Sequence, residues 1–279
     1  SLKSLTMSRF VINDVKTPFH AVETPCSISI EGKIIQHVGK PNPRQGDSVL
    51  DLGPALVIPG LFNAHDHLEF SLFPKLGRKL YQNYIEWGND IHLHFKDEIN
   101  EVLQIPVADR WRLGVLKNLL SGVTTVIDHG FPAPHKSNLI IDIPSHYQYI
   151  HSIATDKKWK LKLNLPQLKP IMIHLGEGID QVAADELKKI NQWNFLNRKI
   201  IAVHLIRGDR SFSKQLSAMI WCPDSNLFLY RETAQVDEFK NSIPILFGTD
   251  SPLTASGNFW DHLRLAKGTG LLSDPELYD

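Results

Sequence analysis

Residues 57–67 read VIPGLFNAHDH, an apolar run that ends on two histidines separated by one residue. A short apolar run next to turn residues such as Pro59 and Gly60 is typical of a buried strand. On a strand, residues i and i+2 point to the same face, so His65 and His67 would present both imidazoles to one side. The stretch therefore predicts a strand that carries two nitrogen ligands suited to zinc, iron or manganese.

Three later apolar runs also end on a residue that can bind a metal. The runs and their ends are 170–173 with His174, 199–203 with His204, and 244–249 with Asp250. In a (β/α)8 barrel, polar residues at the C-terminal ends of the strands form the active-site face. Glu177 follows His174 in the loop beyond the strand, where a carboxyl group can act as a general acid or base. The order of these residues predicts a metal-dependent hydrolytic site.

Strand and helix signals divide the chain into a small β portion and an α/β barrel. Residues 1–54 predict part of a β-sandwich, with strands near 10–12, 26–30, 33–38 and 48–52 and a hairpin at Glu31-Gly32. Residues 55–279 predict a TIM-like (β/α)8 barrel. Its expected strands are 56–64, 123–128, 170–174, 199–204, 218–222 and 244–249, and its expected helices are 108–121, 180–193, 211–219 and 257–267.

The barrel is predicted to be abbreviated around its third and fourth strands. Only residues 131–169 remain for two βα units, and one such unit takes about 30 residues. Leu139–Ile143 and Leu161–Leu165 are the best strand candidates in this segment.

Composition excludes several classes of protein. The 279 residues are 42% hydrophobic and 22% charged, and 30 Lys plus Arg balance 30 Asp plus Glu. This neutral balance predicts no nucleic-acid partner and no membrane partner. The two cysteines, Cys26 and Cys222, lack zinc or redox spacing, which favours a reducing, cytoplasmic compartment. We also expect no signal peptide and no membrane span, because no apolar run is long enough.

Other polar residues are weaker candidates. His92 and His94 repeat the spacing of the first histidine pair, but they lie in a polar, helical segment where residues i and i+2 diverge, so we expect no metal there. Five residues lie near expected strand ends or loops and are weak candidates for substrate binding: Glu69, Trp87, His129, Asn226 and Ser251.

Taken together, five motifs resemble the amidohydrolase superfamily, in the branch that contains cytosine deaminase, triazine hydrolases and adenosyl-type deaminases. The motifs are VIPGLFNAHDH at 57–67, IHLGEG at 173–178, AVH at 202–204, WCPDSN at 221–226 and GTDSPL at 248–253. They extend over most of the chain, and their combination is highly specific.

The resemblance implies one divalent metal ion, with zinc as the first choice and iron or manganese as alternatives. Its implied ligands are His65, His67, His174 and Asp250. It further implies that Glu177 carries protons, that His204 polarises the substrate and that Asp250 accepts a proton from the attacking water. The expected reaction is hydrolysis of a carbon–nitrogen bond, preferably deamination, in a small nitrogen-containing ring or amidine.

Two alternatives and two departures accompany this prediction. A ring-opening hydrolase of cyclic amides, with two metals, would need a bridging ligand such as a modified Lys158, Lys160 or Lys162. A catalytically silent barrel used as a scaffold is the alternative outside enzymes.

The chain departs from family members in two places. It stops before the C-terminal strands that complete their sandwich, so we expect it to be shortened there. Its segment around strands 3–4 is also short, which weakens any inference of its substrate from those of family members. Expected partners are a small-molecule substrate and a second copy of the chain in a homo-oligomer.

Overall fold

The computed structural model describes residues 9–17, 26–130 and 141–278. The chain divides into two compact units, Ser1–Gly60 and Leu61–Asp279, so the division falls after Gly60, whereas the sequence predicted it after residue 54. Within the described ranges, no helix combines the length and the apolarity needed to cross a membrane.

The smaller unit is a four-stranded sheet. Its strands are β1 (Arg9–Lys16), β2 (Cys26–Glu31), β3 (Ile34–Gly39) and β4 (Ser48–Leu56), in the order β3-β2-β1-β4. The β2–β3 hairpin turns at Gly32, whose φ of 62° suits glycine, so the predicted hairpin is confirmed. Val15, Cys26 and Ile28 form its buried core. A second, facing sheet is absent from the described residues, and the sandwich therefore stays a prediction.

The larger unit is an α/β arrangement of parallel strands, which confirms the predicted class. Its strands are β5 (Leu61–Asp66), β6 (Val123–Asp128), β7 (Gln148–Tyr149), β8 (Ile171–Leu175), β9 (Ile200–His204), β10 (Leu216–Trp221) and β11 (Ile245–Phe247). They form a five-stranded sheet in the order β11-β10-β9-β8-β7 and a separate β5-β6 pair. A parallel bridge between Asp66 and Asp250 connects the end of β5 to the segment after β11. The described residues show no single closed barrel, because no ladder connects Asp142, which bridges to Thr125, with β7.

Helices occupy most of the connections between these strands. They are α1 (Tyr84–His94), α2 (Lys96–Leu103), α3 (Val107–Leu120), α4 (Trp159–Leu163), α5 (Gln181–Trp193), α6 (Pro223–Tyr230), α7 (Val236–Phe239), α8 (Phe259–Thr269) and α9 (Asp274–Tyr278). Three of the four predicted helices are confirmed as α3, α5 and α8. The Asp180 and Asn258 side chains cap α5 and α8 by accepting from free backbone amides of the first turn.

Several predicted elements are wrong. The helix expected at 211–219 is a 3₁₀ turn at Arg210–Gln215 followed by β10, because a strand buried on both faces shows no alternation that a sequence pattern could distinguish from a helix. The first barrel strand starts at Leu61 and not at residue 56, which belongs to β4.

The predicted strand Leu161–Leu165 is also wrong, since α4 occupies most of it. Trp159 and Leu163 are buried and Leu161 is exposed, which is the i, i+4 pattern of one helix face. The strand of this region is the two-residue β7. Of the other candidate, Leu139–Ile143, the first two residues lie outside the described residues, and Asp142 forms its parallel bridge with Thr125.

Candidate active site

The predicted site residues meet at one edge of the parallel strands. His65 lies in β5, His174 in β8 and His204 at the end of β9, and Asp250 follows β11. Strand register brings them together, because His174 pairs with Val203 and Leu175 with His204. On the other side, the backbone amide of Asp250 donates to the carbonyl oxygen of His65 at 3.0 Å.

Three imidazoles and one carboxylate face each other within this edge. The Oδ1 atom of Asp250 lies 3.7 Å from the Nε2 atoms of both His65 and His67. The ring of His174 lies 4.9 Å from that of His65, between centroids. The Nε2 atom of His65 is buried and has no hydrogen-bond partner among the described residues. Since a buried polar atom without a partner is costly, this donor set fits a divalent metal such as zinc.

The electrostatics of the histidines also suit a metal. Burial lowers the pKa of His65, and it lowers those of His67 and His174 well below the ordinary value. Neutral imidazole is the form that binds a metal, because the cation has no free lone pair. The side chains are therefore already in the ligating form near neutral pH.

Asp250 is held so that one oxygen faces the histidines. Ser225 and Thr254 donate their hydroxyl hydrogens to Oδ2, at 2.7 and 3.0 Å, which leaves Oδ1 toward His65 and His67. Burial alone would raise the pKa of Asp250, but the nearby imidazoles of His65, His204 and His67 hold it well below its ordinary value. Asp250 (φ 59°) and His204 (φ 69°) both adopt left-handed backbone conformations, which are strained for residues other than glycine and cluster at functional sites.

His204 is oriented by Asn226, one of the weak candidates, which lies on α6. The Nδ2 atom of Asn226 donates to Thr233 Oγ1, so its Oδ1 accepts from Nδ1–H of His204 at 2.8 Å. The Nε2 atom of His204 then points to Glu177, with Oε2 at 3.8 Å. Asn226 thus contacts His204 and does not line the cavity.

Glu177 is a buried carboxyl group. Tyr230, at the end of α6, donates its hydroxyl hydrogen to Oε1 at 3.1 Å. Burial and the nearby charge of Asp250 raise the pKa of Glu177 well above its ordinary value. A carboxyl group whose pKa is raised in this way keeps its proton to a higher pH than usual, which suits a proton donor beside His204.

A cavity of about 100 Å³ opens onto this edge. Its lining includes His67, His174, Glu177, His204 and Asp250 together with Phe70, Tyr84, Trp87, His151, Ser152, Ser251, Leu253 and Thr254. Two of the weak candidates, Trp87 and Ser251, are thus in the lining. Phe70, Trp87 and Leu253 form the apolar part of the wall, and the other lining residues carry polar side chains, which suits a small polar molecule.

The other two weak candidates lie behind this lining. Burial and the nearby Asp128 raise the pKa of Glu69 to about 7. His129 is fully buried against His65 and His174. Ligand atoms of His65, His67, His129 and His174 lie within 4.8 Å of one another, as do those of His174, Glu177 and His204.

His151 is a lining residue that the sequence did not reveal. It follows β7, and its carbonyl oxygen accepts from Nδ1–H of His174 at 2.8 Å. The sequence signal that could have revealed His151 is a strand before it, but the segment 148–150 is too short to identify as one. The pair His92 and His94 lies in α1, in the segment predicted to be helical, and outside the cavity lining.

Sequence relatives were found among proteins of known activity. The chain is 25% identical, over 308 aligned positions, to a 5-methylthioadenosine/S-adenosylhomocysteine deaminase of Pyrococcus furiosus, with 88% of this chain and 70% of the relative covered. It is 24% identical to the deaminase of the same name from Pyrococcus horikoshii, with 92% and 72% covered. No model of a protein family matches the chain.

Solved structures share the fold. An adenosine deaminase from Xanthomonas campestris with bound zinc superposes with a TM-score of 0.68 at 17% identity, covering 94% of this chain and 75% of that one. A triazine hydrolase variant gives 0.70 at 18% identity, with 96% and 80% covered. Guanine deaminase from C. acetobutylicum, solved with guanine in its active site, gives 0.67 at 15% identity, with 97% and 83% covered.

The chain shares the fold of these enzymes, and its buried histidine–carboxylate group has the composition of a metal-dependent hydrolytic site. The predicted resemblance to the amidohydrolase superfamily is confirmed, since the structural neighbours are members of that superfamily and the sequence relatives are deaminases.

Proposed function

We propose that the protein is a metal-dependent aminohydrolase that removes ammonia from a small nitrogen-containing ring. The observation that carries this proposal is the buried carboxyl group of Glu177, which lies beside His204 and shares its cavity with His67, His174 and Asp250. A metal-binding group next to a proton-carrying acid is what hydrolysis of a carbon–nitrogen bond requires, because the leaving nitrogen must be protonated.

The metal is proposed to be one zinc ion held by His65, His67, His174 and Asp250. Zinc supplies Lewis-acid activation of water when it is bound. The Oδ1 atom of Asp250 is the oxygen that would bind it, since Oδ2 already accepts two hydroxyl hydrogens.

Three side chains then move or stabilise charge. Asp250 accepts a proton from the attacking water. His204, whose Nδ1–H is bonded to Asn226, presents Nε2 toward the cavity. Once the proton released by the attacking water reaches Nε2, the imidazolium stabilises the negative charge that develops on the substrate. Glu177 delivers its proton to the ring nitrogen or the departing amine.

Deamination of an amino-substituted heterocycle is preferred to ring opening. The relatives and neighbours include deaminases of adenosine-type compounds and of guanine, by their names. The two-metal alternative needs a bridging lysine, yet Lys158, Lys160 and Lys162 are all absent from the cavity lining. Lys160 instead lies over the Trp193 ring at 3.6 Å. The scaffold alternative has no supporting observation, since the predicted ligands and acid are all buried at one edge.

We propose a closed (β/α)8 barrel as the frame of this site. Eight parallel segments follow one another along the chain when the bridging residue Asp142 is counted with β5 to β11. The Asp66–Asp250 bridge joins the first of these to the segment after the last.

The test is replacement of Glu177 by Gln in zinc-loaded protein, with amino-substituted purines, pyrimidines and triazines screened for ammonia release. The turnover number should fall by about 10²–10⁴-fold, because the amide cannot supply the proton, while the zinc content holds. Since Glu177 acts in its protonated form, kcat/KM of the wild type should decline as the pH rises through its raised pKa.

Glu232→Gln is the matched control, because Glu232 is an exposed residue paired with Arg207 and should leave turnover unchanged. Full activity of Glu177→Gln would contradict the assigned role. Ring-opened product without ammonia would contradict deamination and leave the metal-hydrolase assignment standing.

A further inference from the structure

His129 is a buried histidine that the proposed mechanism does not use. It directly follows β6, and its backbone amide donates to the carbonyl oxygen of Asp66 at 2.8 Å. Its ring is stacked on His174, with 4.5 Å between centroids and 5° between planes, and Tyr149 packs edge-on at 4.3 Å. The ring is therefore fixed in position by neighbours on two sides.

The Nδ1 atom of His129 lies 3.0 Å from the Nδ1 atom of His65. At this distance one nitrogen donates and the other accepts, since two lone pairs or two N–H groups would repel. A metal bound to His65 would determine which of the two rings donates the hydrogen. If His65 ligates through Nε2, which faces Asp250, its only hydrogen is on Nδ1, so His65 must donate and His129 must accept.

The same reasoning excludes His129 from the ligand set in this geometry. An accepting Nδ1 leaves the ring hydrogen of His129 on Nε2, and a protonated nitrogen has no lone pair for a metal. The short distances among the four histidines are thus explained by a hydrogen bond to a ligand and not by a fourth imidazole ligand.

We propose that His129 is a positioning residue that fixes the tautomer and ring orientation of His65, so that Nε2 of His65 faces the metal. The inference rests on the proposed metal site. Ligating histidines usually donate to a carboxylate, a backbone carbonyl or a water, and here a second imidazole takes that place. Loss of such a partner typically costs about 10–100-fold in metal affinity.

The experiment measures zinc affinity by chelator competition in the full chain, for the wild type, His129→Leu and His129→Asn. Leucine fills a similar volume without an acceptor, so zinc affinity should fall about 10–100-fold. Asparagine can hold its Oδ1 near the position of Nδ1 and accept from His65, so it should keep most of the affinity. Cobalt-substituted wild type and both variants should give the same coordination spectrum, since no ligand is lost.

His262→Leu is the matched control, because His262 is equally buried and contacts Ser256, outside the cavity lining. Its zinc affinity should equal that of the wild type. If His129→Leu does not fold, His129→Met supplies a second apolar variant that packs more flexibly.

The outcomes separate this proposal from the proposed function. Wild-type affinity in His129→Leu or His129→Met would overturn the positioning role. Equal losses in the Leu and Asn variants, with an altered cobalt spectrum, would overturn it in favour of direct ligation. Absence of zinc binding by the wild type would instead contradict the proposed function itself.

Discussion

The two sides of the candidate site are built differently. On the β8–β9 side, His174 and His204 belong to strands of five residues that pair along their whole length. On the β6–β7 side, His129 and His151 each follow a strand end, and β7 has only two residues. The paired strands β8 and β9 thus carry two of the residues proposed for chemistry, His174 and His204, while His129 and His151 support or line the site.

This difference has a physical reason. Metal ligands must be held within a few tenths of an ångström, and a strand hydrogen-bonded on both edges holds its side chains more rigidly than a loop does. A residue that only contributes a backbone carbonyl, as His151 does to His174, needs less of this support. The comparison therefore predicts that substitutions on the two sides have unequal effects on the metal.

The largest difference is expected between His174→Ala and His151→Ala. His174→Ala removes a proposed ligand, so zinc affinity should fall by more than about 100-fold, beyond the loss typical of a supporting residue, and ammonia release should vanish. His151→Ala keeps the backbone carbonyl that accepts from His174 and should bind zinc within about tenfold of the wild type. Chelator competition checks both. Similar losses in the two variants would contradict the distinction and put the His151 ring in the ligand set.

The second prediction concerns the segment after β7, where the sequence suggested a strand and the structure has α4. Leu163 is fully buried and Leu161 is 63% exposed. Leu163→Ala should lower the free energy of unfolding by about 2–5 kcal/mol, because it leaves a cavity in the core. Leu161→Ala should change it by no more than about 0.5 kcal/mol. Urea unfolding of the two variants provides the measurement, and equal effects would argue against the helix face described for α4.

The sequence predicted the β8–β9 side well. The predicted strands 170–174 and 199–204 match β8 and β9 to within one residue at each end, and they carry His174 and His204 as expected. Continuous apolar runs of five or six residues are readable because burial on both faces demands them. The five motifs added what periodicity could not, namely the resemblance to the amidohydrolase superfamily.

The short side could not be read in the same way. Two residues of β7 are too few to show any period, and the alternation of Lys and Leu at 160–163 imitates a strand although the residues form a helix. The contact between His129 and His65 joins residues 64 positions apart, and it depends on strand register, which no local pattern contains. Asn226 was a weak candidate for the same reason, since it lies on α6 and its partner His204 lies on a different element, β9.

The smallest expected effect tests whether Asn226, on α6, helps to hold His204 in position at the end of β9. Asn226→Ala removes the acceptor of Nδ1–H of His204 and leaves that buried donor unpaired, which costs about 1–3 kcal/mol. If the orientation of His204 matters mainly in the transition state, kcat/KM should fall by about 5–150-fold, whereas zinc affinity should hold because Asn226 contacts none of the proposed ligands. Steady-state kinetics and chelator competition on the same preparation give both values. Thr233→Ala is the milder comparison for His204, since it keeps the Asn226 side chain and removes the hydroxyl oxygen that accepts from Asn226 and from Trp221, and its effect on kcat/KM should be smaller. An Asn226→Ala enzyme with unchanged kcat/KM would mean that the β9 backbone alone holds His204 in position. The α6 helix would then make no contribution to the orientation of His204.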